Sequence, residues 1–368
     1  QGAVAGSFAQ GIDFLKQSPF KKETTTVSEL LQVQGLFDLD LDLKIPLKKV
    51  PTKINLALKT QKARGNIIPA KLELSDINAE FQINENSIIS KTLTARMLGF
   101  PISVKVNSDA KGTHAMILGL TDIPNLSQQF PNQLWENFSG ASHYQVGLDI
   151  PNNTSRSCKI QLNSEPPGIK SARPLFSKPD NQAHPFTLKL GVDESGITSF
   201  NANYENLLSP NNRVAINLKK IAPHWQGLVQ SPIASGSVFI PIEFTKQAKM
   251  SLLLNKLDLS ALQQINVKES NTPFSIQDFP ALNLQSQSLY WQGTNLGKLE
   301  LITQPALDGL LIKKLDINSP KNQLSLTGNW QQQDSSNKTA IKGTLLSENF
   351  GHLLRQNHFS ENLVKTTA

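Results

Sequence analysis

From Phe37 to Leu47 every odd position is apolar (Phe37, Leu39, Leu41, Leu43, Ile45, Leu47), and every even position is polar or proline (Asp38, Asp40, Asp42, Lys44, Pro46). Leu31, Val33 and Gly35 keep the same beat upstream. A side-chain period of two writes a β-strand with one greasy and one wet face. Drawn as a single strand, residues 31–47 would span about 50 Å, several times the usual strand length. The alternation recurs at Ile54, Leu56 and Leu58, at Ile77, Ala79, Phe81 and Ile83, and at Ile102, Val104 and Val106. It returns at Tyr144–Ile150, Cys158–Leu162, Phe186–Val192, Val214–Leu218 and Val238–Phe244, and in the pairs Leu299/Leu301 and Leu324/Leu326. Turn chemistry punctuates the runs: EPPG at 165–168, DESG at 193–196, SPNN at 209–212 and NSPKN at 318–322.

Helical spacing is confined to 3–17, 123–138, 257–265 and 347–357. The pattern predicts a mainly β protein, a long antiparallel sheet curled into an elongated trough or open groove, with a few short helices. So few helices cannot roof so many strands. The apolar face must be covered by a second sheet, by the sheet folding over on itself, or by something that is not protein. The 368 residues are read as one elongated body with possible sub-segments 1–122, 123–260 and 261–368.

Composition narrows the function more by exclusion than by assignment. Net charge is +7, which suits an anionic surface and also plain solubility. The cations Lys44, Lys48, Lys49, Lys53, Lys59, Lys62, Arg64 and Lys71 follow one another with no acid between them. No aromatic residues interleave with them to stack on bases, so nucleic acid is disfavoured. Cys158 is the single cysteine, which rules out an internal disulfide and a cysteine-rich metal site. The six histidines have neither HxH nor HExxH spacing, and no metal or cofactor is expected. No uninterrupted apolar run reaches the 18–20 residues of a membrane-spanning helix.

Two short motifs mimic active chemistry and fail on context. Asp38-x-Asp40-x-Asp42 begins like a calcium loop, but Leu43 stands where the loop needs glycine and Lys49 where it needs glutamate. Ser18-Pro-Phe-Lys21 fits the SxxK spacing of acyl-transfer enzymes, yet no SDN or KTG companion accompanies it. No catalytic residues are assigned, and the chain is read as a non-enzyme.

Several stretches together resemble the AsmA-like proteins of Gram-negative bacteria, in particular the YhdP branch. They are VQGLFDLDLDLKIPL with KVPTKINLALK, AEFQINENSIISKTLTARMLGFPISVKV (79–106), WENFSGASHYQVGLDIP (135–151), NSEPPGIKSARPLFSKP (163–179), SLYWQGTNLGKLELITQP (288–305), KNQLSLTGNWQ (321–331) and SENFGHLLRQ (347–356). The resemblance implies a periplasmic segment of a longer chain anchored in the inner membrane by an N-terminal helix lying outside these residues. It also implies a bridge-like lipid carrier, whose apolar groove moves phospholipid tails between the inner and outer membranes. On that basis Phe37, Leu39, Leu41, Leu43, Ile54, Leu56, Leu58, Phe81 and Ile83 are expected to line the groove. Lys48, Lys49 and Lys53 are expected at the head groups. A bulge would flip which alternate set faces inward. The competing expectation is a closed β-sandwich acting as a binding or structural module of the envelope.

Overall fold

The structure, a computed structural model, describes residues 2–16, 31–44, 53–68, 71–84, 87–109, 111–131, 135–136, 138–151, 157–164, 170–171, 184–205, 213–243, 245, 248–260, 280–307, 309–333 and 336–349. Among these, two helices accompany 23 strands. In chain order they are β1 (Gly2–Ser7), α1 (Phe8–Lys16), β2 (Leu31–Gln34), β3 (Leu36–Lys44), β4 (Lys53–Ile67), β5 (Leu72–Asn84), β6 (Ile88–Met97), β7 (Phe100–Asp109) and β8 (Gly112–Asp122). Next come α2 (Ile123–Gln129), β9 (Phe138–Ser139), β10 (Ala141–Pro151), β11 (Cys158–Ser164), β12 (Lys170–Ser171), β13 (Phe186–Asp193) and β14 (Gly196–Tyr204). The series closes with β15 (Val214–Ile221), β16 (His224–Gln230), β17 (Ala234–Pro241), β18 (Lys249–Asp258), β19 (Ala281–Trp291), β20 (Thr294–Pro305), β21 (Gly309–Asn318), β22 (Asn322–Gln333) and β23 (Ser336–Ser347). The chain divides into two compact units, Gln1–Ala172 with Ser177–Thr198, and Arg173–Phe176 with Ser199–Ala368.

In the first unit the strands run β1–β3–β4–β5–β6–β7–β8–β10–β11–β13, every neighbour antiparallel. β2 pairs with β4 in line with β3, and β9 and β12 make a small separate ribbon. In the second unit β14 to β23 follow chain order, all antiparallel except the parallel step β18–β19. Among the described residues no pairing joins the first strand of a unit to its last. The protein is thus mainly β, built of open antiparallel sheet.

The predicted 31–47 strand is interrupted at Gly35. Its backbone lies at φ +135, and a Cβ there would sit 3.1 Å from Ala63, so only glycine lets the strand pass β4 so closely. Residues 45–47 lie outside the described residues. Bulges then shift the inward phase as the alternation alone could not specify. β4 turns its even positions inward up to Thr60 and its odd ones from Ala63, with Lys62 at φ +52 taking up the extra residue. β5 and β6 carry comparable shifts at Ser75/Asn78 and Ile89/Thr94.

The helix expected over 3–17 begins later. Gly2–Ser7 is a strand against β3, and the helix starts only where Ser7 and Gln10 cap each other. The Gln10 N–H donates to Ser7 Oγ (3.4 Å) and the Ser7 N–H to Gln10 Oε1 (3.3 Å). Over 123–138, where a pair of short helical turns broken at Pro131 is expected, the first is α2 and residues 135–136 carry a 3₁₀ turn, while 132–134 and 137 lie outside the described residues. Asp122 caps α2 by accepting from the Asn125 N–H at 2.9 Å. Residues 257–258 belong to β18 and residue 347 to β23, where helices were expected, and 261–265 and 350–357 lie outside the described residues.

Candidate functional site

Cross-strand register gathers the alternating apolar residues of the first unit onto one face. Leu39, Leu58, Phe81 and Ser90 stand opposite one another on β3 to β6. The Ser90 Oγ accepts from the Val106 N–H (2.7 Å), and Val106, Ala115, Leu148, Ile160 and Leu190 carry the row on to β13. A parallel row runs Val104, Ile117, Val146, Leu162 and Leu188. Every residue in both rows is only half-buried. Nine strands from β3 to β13 make eight spacings, so the lining runs for roughly 38 Å across the strands.

The same face is sealed at its other border. Phe37 is 9% exposed and stacks at a tilt on Phe8 of α1, ring centroids 5.6 Å apart. Gly11 makes room for it, since a Cβ there would meet the Phe37 ring at 2.7 Å. Ala63, Ile77, Ala95, Met97 and Ile102 form a buried cluster along this border, joined by Phe8, Leu98 and Tyr144. Leu98 and Gly99, at φ +51 and +80, make the two-residue turn between β6 and β7, and Arg96 braces it by donating to the Gly99 carbonyl at 2.6 Å. This turn is the physical content of the Ala-Arg-Met-Leu-Gly-Phe-Pro stretch at 95–101.

Of the nine residues expected to line a groove, Leu39, Leu41, Leu56, Leu58, Phe81 and Ile83 are half-buried on this face. Leu41, Leu56 and Ile83 border a hollow of about 830 Å³ together with Asp42, Asn55 and Asn84. Phe37 shares the face but lies under α1. Leu43 pairs with Ile54, and Lys44 with Lys53, in the β3–β4 register. Lys48 and Lys49 fall outside the described residues.

The outer face is wet and charge-balanced. Asp38 stands opposite Lys59 and Lys59 opposite Glu80, while Lys91 reaches Glu80 at 3.1 Å. The Asp38-x-Asp40-x-Asp42 string thus belongs to a solvated surface. Among the described residues no group of three His, Cys, Asp or Glu side chains could hold a metal. No described helix is long and apolar enough to cross a membrane.

The second unit builds an equivalent face of its own. Ala202, Ile216, Val229, Gly236, Leu254, Ser286, Leu299, Ile317, Leu324 and Leu345 stand in one row over ten strands. Here Leu284, Leu289 and Leu299 are buried, with Leu259 packed against them, whereas Ile216, Val229 and Ile317 stay half-buried. None of these residues was singled out from the sequence as a site, although the alternations at Val238–Phe244, Leu299/Leu301 and Leu324/Leu326 were its visible part.

An open antiparallel sheet with a continuous, partly uncovered apolar face defines a class of lining-type β proteins. The YhdP protein family matches residues 1–215 and 210–367, and the chain belongs to that family, which is associated with the cell envelope. No curated protein and no solved structure matches the chain.

Proposed function

We propose that this chain is a non-enzymatic lipid-binding segment whose apolar lining carries phospholipid tails across the periplasm between the inner and outer membranes. The observation that supports this most directly is the half-buried state of the first row over β3 to β13, and of the second over β7 to β13, in a protein that buries Ala63 to 1% exposure on β4. A tail of about 16 carbons gains on the order of 10 kcal/mol by leaving water, at about 0.8 kcal/mol per CH₂. The hydrocarbon core of a bilayer is about 30 Å thick, so one tail occupies about 15 Å, and the roughly 38 Å lining offers it several nearly equivalent positions. Near-equality of neighbouring positions is what permits sliding.

Native mass spectrometry after gentle extraction tests the reading. Co-purified phospholipid supports it. Lipid-free protein that also fails to take up a fluorescent phospholipid overturns it and leaves a binding or structural module of the envelope as the better account.

A further inference from the structure

We infer that Lys220 and Trp225 form a head-group clasp at the border of the second unit's lining, taking the phosphate of a lipid whose tails lie along that face; this rests on the lipid-binding reading above and adds a fixed point to it. β15 and β16 are joined by the two-residue turn Ala222-Pro223, and the last pairs before it are Ile221 with His224 and Lys220 with Trp225. The lining phase of these strands reads Ile216, Leu218 and Lys220 on β15, against Val229, Gly227 and Trp225 on β16. Lys220 therefore continues the apolar phase into the last lining row, which Ile240 of β17 extends opposite Trp225. Lys220 and Trp225 are both half-buried, whereas Lys219, one residue away on the outer face, is exposed. The buried Leu289 lies past the Ile216 row in the other direction, through the Ala234–Leu257–Leu289 register.

The surroundings select an anion with a greasy neighbour. β14 to β17 carry no Asp or Glu, so no carboxylate on these four strands competes for the Lys220 ammonium; Glu243, the first acid after them, is exposed. A lysine stem lies along apolar surface and delivers its charge at the water's edge. Trp225 suits the same depth, with an apolar ring and one N–H donor.

Gly227, next inward on β16, places no side chain between Leu218 and Val238, so a tail leaving the clasp meets a shallow step in the lining. A phosphodiester offers a charged acceptor to the ammonium and another oxygen to the indole N–H. A bare hydrocarbon makes no use of the charge, and a free phosphate makes no use of the apolar rows behind it. A phospholipid uses both.

The test is photo-crosslinking of the full chain with a phosphatidylglycerol that carries a diazirine early in one tail, and with the diacylglycerol of the same tails, which lacks the phosphate. Labelling of residues 214–230 is read by peptide mass spectrometry against labelling of β10, whose lining residues in the first unit include no cation. In the wild type this ratio is expected to be about fivefold higher for the phospholipid, the size of one half-exposed charged contact. Lys220→Gln, with its fold checked by circular dichroism, should bring the two lipids level. Lys220→Arg, which keeps the charge, and Lys219→Gln, which removes the same charge from the outer face, should preserve the difference. Excess glycerophosphoglycerol, the head group without tails, should not protect; protection reveals a site for free phosphodiesters and overturns the lipid assignment. Equal wild-type ratios, a preference that survives in Lys220→Gln, or its loss in Lys219→Gln overturns the clasp while leaving the groove standing. Labelling by neither lipid in either unit removes the lipid-binding reading and the clasp with it.

Discussion

Val146 and Leu148 sit side by side on the lining face of β10, opposite Ile117 and Ala115 on one flank and Leu162 and Ile160 on the other. Replacing both by aspartate places a hydrated step across both rows at one strand while leaving the rest of the lining intact. Its size follows from the geometry. One strand occupies about 4.8 Å of the lining. A tail of 16 carbons fills about 15 Å of bilayer, so about five methylenes lie over one strand. At about 0.8 kcal/mol each they carry about 4 kcal/mol, of which a one-sided lining supplies about half. A barrier of about 2 kcal/mol slows passage about 30-fold. Both native residues are half-buried, so the sheet can tolerate the change. The assay is transfer of a fluorescent phospholipid between vesicles by the full chain, with circular dichroism to confirm the fold. Gln161→Asp, on the exposed face of β11, serves as the control and should transfer normally. An unchanged rate in the folded Val146→Asp/Leu148→Asp variant would refute lipid passage along these rows.

Changing Lys48, Lys49 and Lys53 to glutamate is expected to weaken binding to anionic liposomes, measured by flotation; unchanged binding rejects a head-group role for them. Phe37→Ala should cost about 3 kcal/mol, the usual penalty for a vacated aromatic site, by undocking α1 from the sealed border, visible as a lower midpoint in denaturant titration. Burial first, and then the charge of Asp149, push the Cys158 thiol above its ordinary value. Alkylation should therefore be slow at pH 7 and climb steeply through the alkaline range as thiolate forms, and Asp149→Asn should shift that rise to lower pH; a pH profile identical in the two proteins contradicts the assignment.

The period-two pattern carries most of what a sheet needs: which residues can share a face, and that the face is greasy over many strands. Leu39, Leu58 and Phe81 are legible for that reason. The phase of each strand is not, because a bulge costs one residue and leaves no distinct composition. Lys62 and Asp76 adopt left-handed backbone where the local sequence gives no Asn-Gly or Asp-Gly warning. Gly2–Ser7 reads as helix because small residues fit either period, and its pairing with β3 is decided by a strand thirty residues away. The Leu98-Gly99 turn is equally hidden, since a bulky residue at φ +51 is held there by Arg96 and by packing rather than by its own preference. Lys220 is invisible for another reason. A lysine next to a lysine looks like an ordinary strand end until register sets Lys220 opposite Trp225.

Alternation specifies a face but not how that face is covered, and coverage decides between a core and a conduit. In the first unit an enclosed stretch and a half-open one lie on one surface. Where α1 and the turns supply large side chains, small residues such as Ala63 and Ala95 are fully enclosed. A few residues away along β4, Leu58 and Leu56 stand half-open with none of that cover, as do Leu148 and Ile160 on β10 and β11. An enclosed border beside a half-open side makes a surface that is structurally anchored along one border and available along the other. For a hydrocarbon tail the result is contact without enclosure, so release from any one position costs only that position's share of the contact. Graded, repeated contact of this kind is what separates a surface that conducts from a pocket that retains.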